Sequence, residues 1–145
     1  MKHPFRFAVA SVDKGHPDWR TAGGPVIHWA SVVSLSAALR PVYLAEEARR
    51  AKETGDNHPL NESVIVDDNE DADFLTLVKQ KFRGLRSGVR TGSPLVKKVR
   101  FRGSGPDELV QLADMICGAT GAYLDGDDTW YSIFAARDLG IVHIP

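Results

Sequence analysis

Glu-Leu-Val-Gln-Leu-Ala-Asp-Met-Ile-Cys-Gly-Ala-Thr-Gly-Ala-Tyr, residues 108–123, is the stretch on which the reading of this chain turns. At helical spacing Leu109, Leu112, Ile116, Ala119 and Tyr123 line one apolar face. Asp107 precedes it as an N-cap, and Pro106 stops whatever comes before. On the neighbouring stripe, Val110, Cys117, Gly118 and Gly121 surround one carboxylate, Asp114. That carboxylate is expected to be buried or to point into a narrow cleft. Buried, it must be paired, protonated, hydrogen-bonded to backbone or metal-bound. Glycine inside a helix costs about 1 kcal/mol relative to alanine, so Gly118 and Gly121 predict a second backbone passing close by.

Working outward, the elements alternate. Phe5 to Val12 is aromatic and β-branched and reads as a strand, closed by a turn at Asp13-Lys14-Gly15-His16-Pro17. Residues 18–26 read as loop. Ile27 to Leu39 and Val42 to Lys52 read as helix, with Pro41 breaking, kinking or reopening it. In the second half Glu46 and Glu47 stand three or four residues before Arg49 and Arg50, spaced for local ion pairs. Ser63 to Val66 is a short buried-type strand that stops at Asp67-Asp68-Asn69. Carboxylates at that end fall on the edge where open α/β sheets bind ligands. Residues 71–85 form an amphipathic helix with Phe74, Leu77, Val78, Lys81 and Phe82 on one side. After a Gly/Ser loop at 86–94, Val96 to Arg102 alternates, with Val99 and Phe101 facing one way and Lys98, Arg100 and Arg102 the other. The tail predicts a turn at 125–128, a short helix near 130–137 and an extended end at 141–144. This order argues a single α/β domain over residues 1–145 with a mixed or parallel sheet.

Charge is balanced overall, 18 Lys+Arg against 19 Asp+Glu, but segregated. Every charged residue from Glu53 to Asp73 is acidic, and every one from Lys79 to Arg102 is basic. Adjacent acidic and basic blocks suit a metal-dependent enzyme acting on a polyanion; two mutually attracting solvated faces are the plainer alternative. No run of about 18 apolar residues exists for a membrane span, and the N-terminus has no secretory h-region. Cys117 is the lone cysteine, which fits a reducing, cytoplasmic setting. The five histidines lack ligand spacing, and there is no phosphate-binding Gly-rich loop or nucleophile elbow. Carboxylates remain: Asp67, Asp68 and Asp114, which would hold Mg²⁺ or Mn²⁺ if they converge.

The run from Val110 to Ala119 resembles the Leu-Gln-Leu-Ala-Asp-x-x-x-Gly-Ala signature of the domain-of-unknown-function 3800 family. Phe7 to Lys14 resembles that family's strand ending in Asp-Lys, and Val64-Ile65-Val66-Asp67 its strand ending in an acidic residue. The basic segment from Val99 to Gly105 precedes the signature in the same order. The resemblance implies a ribonuclease H-like mixed sheet with flanking helices, and a divalent-metal-dependent nuclease of prokaryotic origin. Carried over by position, Asp67 (or Asp68) and Asp114 are metal-binding carboxylates in catalytic roles; on the same reading the basic strand residues Lys97, Lys98, Arg100 and Arg102 are expected to contact phosphates. The family's opening Asp-Glu-Ser-Gly strand has no counterpart here. The expectation is therefore a partial domain lacking the first strands, either impaired as a nuclease or completed by an oligomer or partner. The alternative is a non-catalytic module that binds nucleic acid or protein through its sheet edge.

Overall fold

The computed structural model describes residues 5–144 apart from 14, 22, 68–71, 104 and 106; for Asp18 and residues 142–144 only the backbone is considered. Asp68, Lys14 and Pro106, each used in the sequence argument, lie outside the described residues.

The chain runs β1 (Phe7–Val12), α1 (Pro17–Arg20), α2 (Gly24–Thr54), β2 (Glu62–Asp67), α3 (Ala72–Arg83), β3 (Val96–Arg102), α4 (Glu108–Leu124), α5 (Tyr131–Phe134), a 3-10 turn (Ala135–Arg137) and β4 (Asp138–Ile144). The α/β alternation is as expected, but the single sheet is not. The strands form two separate parallel pairs, β1 with β4 and β2 with β3. The extended tail at 141–144 is the C-terminal half of β4, which gives β1 its partner.

Three further expectations change. The segment 18–26, read as loop, holds the end of α1 and the start of α2, whose Pro25 sits in the first turn where its missing N–H costs nothing. Pro41 neither breaks α2 nor opens a new helix. It lies inside one helix of 31 residues, roughly 46 Å long. One internal hydrogen bond is lost there, and packing of the flanking turns on α3 and the core outweighs it. Glu47 does not pair with Arg50. Arg49 is held by Glu46 and Glu53, while Arg50 turns to Asp56 and the His58 carbonyl.

The core sits between α2, α3 and one face of the β2–β3 pair. Val32, Val78, Phe82, Leu85, Leu95, Val96 and Val99 are its buried members, with Leu39, Tyr43, Leu44, Val64, Val66 and Phe101 packed against them. Alternation along β2 and β3 puts Val64, Val66, Val99 and Phe101 on this side. The opposite face is left to Ser63, Ile65 and Asp67, paired in register with Lys98, Arg100 and Arg102.

Candidate functional site

The polar face of β2–β3 becomes a groove because α4 lies beside β2. Asp107 starts α4, its Oδ1 accepting the N–H groups of Leu109 (3.0 Å) and Val110 (3.2 Å). Its other oxygen lies 3.5 Å from the Arg102 guanidinium, so the cap is tied to the last residue of β3. The cap thus joins the start of α4 to the end of β3.

The groove has a volume of about 380 Å³ and is lined by Ser63, Ile65 and Asp67 from β2 and by Leu109, Val110, Ala113, Asp114 and Cys117 from α4. Asp67 and Asp114, named from sequence on separate elements, thus share one concavity. Both are exposed to solvent. Asp114 is therefore not a buried backbone hydrogen-bonder: the groove is open, and a carboxylate in its wall keeps its water. Cys117, in the same wall, has its thiol pushed above the ordinary value, first by partial desolvation and then by the Asp114 charge.

Among the described residues no backbone passes close beside Gly118 or Gly121. A Cβ on Gly118 or Gly121 would meet nothing within 4 Å. The expected apolar face of α4 is covered only in part. Ile116 and Ala119 are buried and Leu112 is half-buried as expected, joined by Val110 and Thr120, while Leu109 and Tyr123 are 65% and 41% exposed. Since α4 packs chiefly on β2 and α5, its apolar residues outnumber the surface available to cover them.

Among the described residues no group of three or more His, Cys, Asp or Glu side chains is arranged to hold a metal ion. Among the described residues the carboxylates that line the groove are Asp67 and Asp114. Lys97, Lys98, Arg100 and Arg102 are all exposed. Lys98, Arg100 and Arg102 stand on the face of the sheet that carries Asp67, whereas Lys97 is the extra residue at the register shift between β2 and β3, where strand alternation assigns it no face.

Two features escaped the sequence argument. One is a cavity of about 780 Å³ between the start of β1 and α2, where Tyr43 faces Glu62; burial, then the Glu62 charge, pushes the phenol up. The other is Glu47, fully buried and bonded to the loop after α3. Its signal was present. Val32, Ser36, Tyr43 and Glu47 follow helical spacing along the core-facing stripe, so Glu47 occupies an inward position.

No family model, no curated protein and no solved structure matches this chain.

Proposed function

We propose that this chain is a ribonuclease H-like protein of the domain-of-unknown-function 3800 type, and that Asp67 and Asp114 hold Mg²⁺ or Mn²⁺ against a nucleic-acid phosphodiester. The observation that carries the reading is that these two carboxylates, one from a strand end and one from a helix, line the same solvent-exposed groove. Mg²⁺ is commonly held by one or two carboxylates, with water and substrate phosphates filling its other positions. The donor set fits such an ion and is too small for a closed protein cage. A bound ion there supplies charge to the phosphate and acidifies a water. The chain's own part is to hold the ion through Asp67 and Asp114, and to bind flanking phosphates through Lys98, Arg100 and Arg102, with Lys97 at the strand's start.

Thermal melts with and without Mn²⁺ test this on wild type, Asp67→Asn and Asp114→Asn. At 100 times its dissociation constant the ion contributes about 2.7 kcal/mol, a rise on the order of 5–10 °C for a chain of this size. Wild type should shift and both variants should not. A wild-type shift that survives either substitution places the ion elsewhere and ends the proposal.

A second reading has its own support. Among the described residues β2 is paired on one edge only, and Leu109 stands exposed in the groove beside it. A strand from a partner or a second copy would extend the sheet there, making the chain a binding module rather than an enzyme. It predicts no metal shift, and a mass above the monomer by light scattering, with or without the partner.

A further inference from the structure

Glu47 is 0% exposed, which is costly for a carboxylate. Its Oε1 accepts the backbone N–H groups of Gly88 (2.7 Å) and Val89 (3.1 Å), and its Oε2 accepts the Ser87 hydroxyl (2.8 Å). Ser87 Oγ in turn accepts the N–H groups of Val89 (3.2 Å) and Arg90 (3.1 Å). One side chain of α2 thus orders residues 87–90. Gly88 is pressed so close to α2 that a Cβ would lie 3.2 Å from Leu44.

Ordinary surface loops carry no such anchor. What this one presents is Arg86 and Arg90, both exposed and without an ion-pair partner among the described residues. The loop closes as a short ribbon, Arg86 bridging Pro94 and the Leu95 N–H donating to the Leu85 carbonyl. It then leads into β3, whose first residues carry a register shift against β2 between Val96 and Lys98. Glu62 also sits at this end of the sheet, but it lines the cavity with Tyr43 instead. From Pro94 to Arg102 the strand spans about 26 Å at roughly 3.3 Å per residue. A stacked nucleic-acid strand places about eight phosphates over that length at roughly 3.4 Å each.

We propose that the phosphate track does not end with β3: it continues onto the 86–94 loop, so the chain takes an extended nucleic-acid strand of about eight nucleotides or more. Arg86 and Arg90 bind its far phosphates, and Glu47 is the positioning residue that holds them in place. This rests on β3 being a phosphate-binding strand, as in the preceding reading, but not on the metal.

The test is fluorescence anisotropy in EDTA with oligodeoxyadenylates of 16 and 4 nucleotides. Arg86→Ala/Arg90→Ala should weaken the 16-mer roughly three- to tenfold and lower the slope of log affinity against log salt by about 1.4. It should leave the 4-mer unchanged. Lys98→Ala/Arg100→Ala should weaken both lengths. Glu47→Gln should weaken the 16-mer alone, a length dependence that simple destabilisation does not produce. If circular dichroism shows Glu47→Gln unfolded, the arginine pair decides. A wild-type slope in the arginine variant, equal losses on both lengths, or no binding of the 16-mer to wild type overturns the proposal. Because metal is absent, none of these outcomes depends on Asp67 or Asp114 binding an ion.

Discussion

Asp67 and Arg102 are register partners across the β2–β3 ladder, and Arg102 also reaches Asp107, its guanidinium 3.5 Å from that carboxylate. The last residues of two strands and the cap of α4 therefore meet at one corner, beside the groove. The basic strand β3 therefore ends beside Asp67.

The cap matters more than the ion pair at this corner. Asp107→Ala removes the acceptor for two backbone N–H groups and should cost about 1 kcal/mol. Arg102→Ala breaks a long contact from a half-exposed guanidinium to a buried carboxylate that keeps its two backbone N–H partners, and should cost less, about 0.5 kcal/mol. Urea denaturation of the two variants checks the ranking, and a loss in Arg102→Ala as large as in Asp107→Ala would overturn it.

Gly118 and Gly121 carry no packing duty in this structure. Neither has a left-handed backbone, and neither faces an atom that a methyl group would strike. Gly118→Ala and Gly121→Ala should each stabilise by about 0.4–1 kcal/mol. A loss in either melt would show that another chain or segment presses on α4 in solution.

Cys117 reports on Asp114. Its thiol is held up partly by that neighbouring negative charge. Asp114→Asn removes the charge, lowers the thiol pKa and raises the thiolate fraction at pH 8. Alkylation by iodoacetamide should accelerate accordingly. An unchanged rate would separate the two side chains and weaken the picture of a shared groove wall.

Tyr131 gives the fold a dependence on alkaline pH. Its hydroxyl donates to the Asp138 carboxylate at the start of β4, which together with desolvation pushes the phenol from 10.0 up to about 12. The folded pKa is above the unfolded one, so the contribution is complete below pH 10 and is lost as pH rises towards 12. Tyr131→Phe should be less stable than wild type at pH 8, with the difference shrinking across that window. Absorbance at 295 nm should also lose a transition near 12.

Where local chemistry decided the outcome, the sequence was legible. Asp107 caps α4, β3 spans the predicted residues, and the alternation of Val99 and Phe101 against Lys98, Arg100 and Arg102 holds in the structure. Asp67 and Asp114 were picked on separate elements, and the structure brings them to one groove. What failed depended on partners far along the chain. The pairing of β1 with β4 joins residues that no local pattern connects. The solvent-open side of α4 follows from how little covers it, which periodicity does not report. Glu47 was misassigned because its helical neighbours offered it an arginine, whereas its actual partners lie about forty positions away.

The two parallel pairs also differ in how much chain must be gathered to make them. β2 and β3 are joined through α3 and a single loop, so their ladder closes over a short contour. β1 and β4 pair the Phe7 region with the Asp138 region, a loop of nearly the whole polypeptide. Closing so long a loop carries a higher entropic cost before any contact rewards it. The segment bearing Asp67 and the basic strand can therefore assemble early in folding, while the β1–β4 ladder waits until most of the chain is in place.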